Sequence, residues 1–296
     1  MIRLLRLLAT QRPIAGWMAL GILLSVMTVL ANVTLMAVSG WFITSMALAG
    51  AAQVSMNYFT PAAIIRSAAI IRTGGRYLER LVTHEATLRL LASLRVWFYG
   101  RLEPLAPAAI ERHHSGDLFS RIRADIDTLD NLYLRLLVPA CTALLATLIL
   151  TGFLSTYDGS LAVALLVFMA IAGAAEPALT VYLGRKPGKH KVELMTHQRS
   201  MLIDSTQGLG EMTLYGAAPG HLGRVAANSD ALADKQSRLA GISGLSQAAM
   251  ILLANAAALS LLWLAIPMVT ADALQGADLA MLVLCYKFGV RELGLD

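Results

Sequence analysis

The sequence predicts an all-α protein that crosses a membrane several times, and three observations carry that prediction. All 24 Lys and Arg residues of the 296-residue chain avoid three stretches, 13–65, 136–184 and 239–286. A helix needs roughly 20 apolar residues to cross a ~30 Å hydrocarbon core, so the first and third stretches are each long enough for two crossings. Hydrophobic residues make up 57% of the chain and charged residues 15%, with a mean hydropathy of +0.63, outside the usual range of soluble domains. Finally, the short connections between apolar segments carry no Lys or Arg, whereas two long segments, 66–135 and 185–238, carry nearly every base.

The net charge of +5 therefore reads as the positive-inside bias of a membrane protein, and nucleic acid is not implied as a partner. The start, MIRLLRLLATQRP, has Arg3, Arg6 and Arg12 but no short apolar region with a small-residue cleavage site. It is expected to be a cytoplasmic tip that stays on the protein. Cys141 and Cys285 both fall in apolar stretches, so ordinary buried thiols are expected.

Six membrane segments follow in order. The first covers about 14–38, and the charge-free 39–57, with Trp41 and Phe42, reads as a linker at the outer interface. The second covers about 58–76, and its helical period continues inward through RYLERLVTHEATLRLLASLRVWFYGRLEPL. The third covers about 131–156. Tyr157, Asp158 and Gly159 turn the chain into the fourth, about 160–183. The fifth covers about 243–266, and Pro267, Asp272 and Asp278 mark the last outer turn before a sixth that starts near Leu279. With every outer connection free of bases, the N-terminus is expected inside.

Both inner segments read as helical hairpins, because apolar residues recur at three- and four-residue spacing: Leu88, Leu91, Leu94 and Phe98, then Leu202, Leu209, Met212 and Leu214. An apolar stripe has to be buried, so these helices are expected to extend the membrane segments into the cytoplasm and to touch another domain at their ends.

Six helices with two long inner hairpins resemble the membrane half of an ABC exporter. The stretch HHSGDLFSRIRADIDTLDNLYLR (113–135) resembles the exporter segment before the third helix, and STQGLGEMTLYGAAPGH (205–221) resembles the second inner loop. More closely, SGWFITSMALAG, YFTPAAIIRSAAIIRTGGRYLERLVTHEATLRLL and DIDTLDNLYLRLLVP resemble the CydDC family of heterodimeric exporters. The resemblance covers residues 1 to about 284. It implies a six-helix exporter domain (type I exporter, or type IV) in a bacterial inner membrane. It also implies a CydD-like partner subunit, nucleotide-binding domains that bind ATP and Mg, and a role in cytochrome bd assembly with cysteine or glutathione export and haem binding. The family's haem-ligating histidine corresponds to His84. Contacts with the nucleotide-binding domains are implied near Pro104–His114 and Leu209–Ala217.

The residues of the second helix bear on this independently. Arg72, Arg76, Arg80 and His84 lie four residues apart, so they drift only about 40° per step and form one basic stripe. Arg66 lies five turns before His84 and projects the same way about 27 Å distant. An Arg at the depth of Arg66 normally faces a cavity or a counter-charge. The stripe suits haem, with propionates on Arg76 and Arg80 and iron on His84, and it equally suits glutathione carboxylates without a metal. Alternatively, these arginines pair with Glu79, Glu85 and the membrane surface.

Glu176, an acid in the fourth segment followed by Pro177, is a further candidate for the substrate path with Arg66 and Arg72, or for pairing with Arg66. His113, His114, His190 and His197 lie in charged stretches and read as solvated. Met27, Met36, Met46 and Met56 read as packing, and Asp125, Asp127 and Asp130 as helix-terminal charge. No catalytic residue is expected. LGRKPGKH (183–190) misplaces the first Gly of a phosphate-binding loop and puts His190 where Ser or Thr must stand, so ATP hydrolysis is not expected of this chain by itself. The sixth segment meets four charges in KFGVRELGLD, so 285–296 is read as an atypical, truncated end and the exporter domain as 1–284. Two alternatives stay open: a haem-binding assembly scaffold without transport, and a permease for another amphipathic substrate.

Overall fold

The computed structural model describes residues 12–105 and 133–294, and every regular element among them is helical. In chain order these are α1 (Arg12–Ala51), α2 (Phe59–Leu102), α3 (Val138–Ser155), α4 (Gly159–Ala170), α5 (Glu176–Gln207), α6 (Leu209–Leu214), α7 (Ala218–Thr270) and α8 (Gly276–Gly294). They divide between two compact units, Met1–Met169 with Ala254–Asp296, and Ala170–Leu253.

In the first unit α1 lies antiparallel along α2, and three glycines set how closely helices approach. A Cβ on Gly21 would lie 2.9 Å from Thr83 Cγ2, and one on Gly75 2.7 Å from Thr28 Oγ1. Gly40 meets Leu284 of α8 more tightly still. Small residues at crossings matter in a bilayer because lipid is as apolar as leucine, so close dispersion contact has to hold helices together. The core beside them joins Val33 and Ala37 of α1 to Leu150 and Leu154 of α3, Leu161 and Leu165 of α4, Leu261 of α7, and Leu282, Tyr286 and Val290 of α8. The Tyr286 ring meets Phe168 edge-on at 6.2 Å. A smaller cluster packs Met18 against Ala86, Leu90, Tyr133 and Val138.

Two five-residue π turns, Tyr133–Leu137 and Ile171–Ala175, each end two residues before a proline, Pro139 and Pro177. Proline has no N–H and its ring crowds the carbonyl four residues back. A wider turn just ahead of it relieves that crowding without ending the helix.

In the second unit α5 pairs with the first part of α7. Asn228 Nδ2 donates to the Leu194 carbonyl at 3.2 Å and Gln198 Nε2 to Ser229 Oγ at 2.7 Å. Gly216, at φ 68°, supplies the left-handed residue that turns α6 into α7.

The structure departs from the sequence reading in four places. Residues 39–51, expected as a linker, continue α1, because Gly40 and Trp41 pack against α8. The break comes at 52–58, where Gln53 takes φ 54°. The sixth helix starts at Gly276 and continues past Lys287 to Gly294, with Tyr286 and Val290 at 1% and 0% exposure. The stripe expected inside the inner hairpins is exposed at Leu88, Leu202, Leu209 and Leu214; α2 instead buries Thr83, Ala86, Thr87 and Leu90, about 100° round the helix. Among the described residues, four helical stretches are long and apolar enough to cross a membrane: Ala15–Ala51, Val138–Ser155, Gly159–Gln207 and Ala218–Thr270. The second and sixth expected segments fall outside that group; α2 carries Arg66, Arg72 and Arg76 in its first 18 residues, and α8 carries Asp278, Lys287, Arg291 and Glu292 in 19. His113, His114, Asp125, Asp127 and Asp130, the first segment's basic tip with Arg3 and Arg6, and most of Pro104–His114 lie outside the described residues.

Candidate functional site

α2 runs unbroken for 44 residues, which keeps its four-residue spacings on one face. Its N-terminus is set by Asn57, whose Oδ1 accepts the Phe59 N–H at 3.0 Å, and by the stacked rings of Tyr58 and Phe59. The helix buries Pro61, Ala68, Gly75 and Thr83, the last two against α1. Arg66, Arg76, Arg80 and His84 are then exposed on a face that the described residues do not cover.

Arg72 differs from the other members of the stripe. It is half-buried, and its Nη1 donates to Asn32 Oδ1 on α1 at 3.1 Å. A buried guanidinium needs an acceptor, and here an amide supplies it without charge neutralisation. Arg72 therefore braces α1 against α2 while keeping its positive charge. Glu85 does not neutralise the stripe either, since it pairs with Arg89 at 2.7 Å, and that guanidinium also sits 4.5 Å over the Trp17 ring. The face retains four exposed basic or imidazole groups in a helix whose flanks are apolar. It can bind anions, and His84 at its C-terminal end can offer a ring nitrogen to a metal. Among the described residues no group of three His, Cys, Asp or Glu is assembled to hold a bare metal ion. Haem would ask for fewer protein ligands than a bare ion, and His84 would be the residue to supply one.

In the second unit, Glu176 opens α5 just after the π turn and is half-buried. Its Oε1 accepts Thr180 Oγ1 at 2.9 Å and also the Ser246 hydroxyl of α7. His221, which drew no attention in the sequence, is 8% exposed and pins the hairpin. Its Nε2 lies 3.1 Å from the Met201 carbonyl and 2.6 Å from Ser205 Oγ, and its Nδ1 lies 3.3 Å from Arg224. Asn32 and Ser246 were missed as well, because both gain their meaning only from a partner on another helix. Cys141 is half-buried and Cys285 buried, and both are free.

A family model for the ABC transporter transmembrane region matches residues 18–286. The chain belongs to this family. Its multi-pass helical architecture is that of an ABC transporter transmembrane domain, with its long helices running beyond bilayer thickness. It is 39% identical over 271 residues to the glutathione/L-cysteine transport system ATP-binding/permease protein CydC of Escherichia coli K12, covering 91% of this chain and 47% of that protein. It is 33% identical over 246 residues to the protein of the same name from Haemophilus influenzae, covering 83% of this chain and 42% of that one. The similarity to the Bacillus subtilis protein named CydD is 27% over 195 residues, or 66% and 34% of the two chains. The chain thus spans less than half the length of these relatives.

Proposed function

We propose that this chain is the membrane-spanning permease part of a heterodimeric, ATP-driven exporter of cysteine or glutathione in a bacterial inner membrane, with its N-terminus inside. The names of the relatives join an ATP-binding part to a permease part, and this ABC transmembrane domain corresponds to the second. ATP and Mg would be bound by nucleotide-binding domains, and a CydD-like subunit would complete the pathway. The observation that carries the reading is the exposed basic face of α2, Arg66, Arg76 and Arg80, none of which forms an ion pair among the described residues. Cysteine and glutathione are carboxylates at neutral pH, and guanidinium groups bind carboxylates in paired, directional hydrogen bonds. A cycle of alternating access follows if ATP binding favours one of two arrangements of the inner hairpins. The deciding experiment is ATP-dependent accumulation of labelled cysteine and glutathione in inside-out vesicles that hold the assembled exporter. Arg76→Ala and Arg80→Ala should each lower it about tenfold, and loss of neither thiol's uptake in these variants sinks the assignment of this face.

A second reading is favoured by one feature, His84 exposed at the inner end of the same stripe. It would hold haem through iron on His84 and propionates on Arg76 and Arg80, in line with a role in cytochrome bd assembly. Hemin titration of the assembled exporter, followed in the Soret band, should give a saturable shift that His84→Ala removes.

A further inference from the structure

We infer that Glu176 receives the primary ammonium group of the cargo; this rests on the proposed cargo being an amino-acid or peptide thiol. Glu176 lies in the apolar stretch 136–184, which contains no Lys or Arg, and it is half-buried. A carboxylate in such surroundings is costly unless it meets a cation or a set of donors. Among the described residues no Lys, Arg or His pairs with it: the ion pairs made there are Arg89–Glu85, Lys189–Glu193, Lys235–Asp234 and Arg238–Asp234. Its two donors, Thr180 and Ser246, both bond Oε1, and Oε2 has no described partner.

The local backbone adds acceptors of its own. The Glu176 N–H reaches back five residues to the Ile171 carbonyl, and Pro177 contributes no N–H at all. This turn therefore has more carbonyls than donors. A free carboxylate oxygen beside surplus carbonyls suits a group with three N–H donors and no acceptor, which describes an ammonium. Space is also open beside it on its own helix, because a Cβ built on Gly173, three residues earlier, meets nothing within 4 Å. A bare metal ion fits less well, since no group of three His, Cys, Asp or Glu is assembled among the described residues. Ser246 and Thr180 act as positioning residues that fix which oxygen is left open.

The test compares cysteine with N-acetylcysteine, which keeps the thiol and carboxylate but lacks the positive charge. ATP-driven uptake would be measured in inside-out vesicles holding the assembled exporter, with Glu176→Gln and Ser246→Ala as variants. Glu176→Gln should raise KM for cysteine about tenfold or more and leave N-acetylcysteine within about twofold, so that the preference for the amine disappears. Ser246→Ala, which keeps the carboxylate, should shift cysteine in the same direction by a smaller factor. It reads the same preference if the first variant does not assemble. Equal losses for both thiols, or no change for either, overturn the assignment of Glu176 while leaving the cargo reading intact. A wild-type exporter that moves neither thiol overturns the cargo reading and this inference with it.

Discussion

Trp41 on α1 donates its indole N–H to Oδ1 of Asp278 on α8, 3.0 Å away and 237 positions along the chain. The acid stands in the first turn of α8, where the helix dipole favours a negative charge, and the indole links that end to α1. A hydrogen bond to a charged group contributes about 1.5–3 kcal/mol, and partial burial places this one toward the lower end. Trp41→Phe should lower Tm by several degrees in detergent. Asp278→Asn, which keeps a carbonyl acceptor, should cost less. If the two variants melt together with wild type, α1 is held at this end by Gly40 and Leu284 alone.

Neighbouring glycines on α2 should respond with opposite sign. Gly75 faces Thr28, whose hydroxyl already donates to the Leu24 carbonyl at 2.8 Å and so has little freedom to retreat. A Cβ on Gly74 meets nothing within 4 Å. Gly75→Ala should cost about 1–3 kcal/mol by forcing α1 away, whereas Gly74→Ala should be neutral or gain up to about 1 kcal/mol of helix propensity. Thermal unfolding of the pair measures both signs, and a stabilising Gly75→Ala excludes close packing at this crossing.

The fold was legible because lipid imposes a one-dimensional rule: bases stay out of the hydrocarbon, so Arg66 apart, the gaps between them outline the spans. The rule fails where a segment is apolar but its helical state depends on a distant partner. Residues 39–51 carry no charge and hold a Trp-Phe pair, which fits an interfacial linker as well as a helix. Only Leu284 and Asp278, some 240 positions away, decide for the helix. The same limit applies to the site. The spacing of Arg72, Arg76, Arg80 and His84 placed them on one face from sequence alone. That Arg72 turns to Asn32 while the other three stay open depends on the α1–α2 register, which the period of either helix does not contain. His221 had a faint signal in a histidine three residues before Arg224, within a segment of small residues, but its burial comes from α5.

The turn between α3 and α4 offers a pH test. Asp158 Oδ1 accepts the Ser160 N–H at 2.6 Å and so caps the start of α4. Hydrogen bonds from Ser160 hold its carboxyl below the usual aspartate range. The folded state thus binds this proton more weakly than the unfolded state, so the stabilisation is present above the unfolded pKa and is lost as pH falls through the folded one. Asp158→Ala should melt below wild type at pH 7, and the gap should narrow as pH drops under about 4. A gap unchanged at pH 3 would assign the effect to packing of the turn and not to the ionised cap.

His221 should control the rigidity of the hairpin that α5 forms with α7. Its Nε2 faces the Met201 carbonyl, so the hydrogen-bond network assigns the proton to that nitrogen and leaves Nδ1 to accept from Arg224. Ser205 also donates to the Met201 carbonyl, at 2.6 Å, so removing the imidazole does not orphan that oxygen. It opens a hole beside Met201, which is 7% exposed, and releases Arg224. His221→Ala should cost about 1–3 kcal/mol locally, and amide exchange over 201–224 should speed up by roughly 5- to 150-fold. Exchange in α1 and α3 should not change, because those helices belong to the other compact unit. Gln198→Ala, which loses one partly buried bond to Ser229, supplies the comparison. Exchange in His221→Ala no faster than in Gln198→Ala would mean that the Asn228–Leu194 and Gln198–Ser229 bonds, and not the histidine, hold α5 to α7.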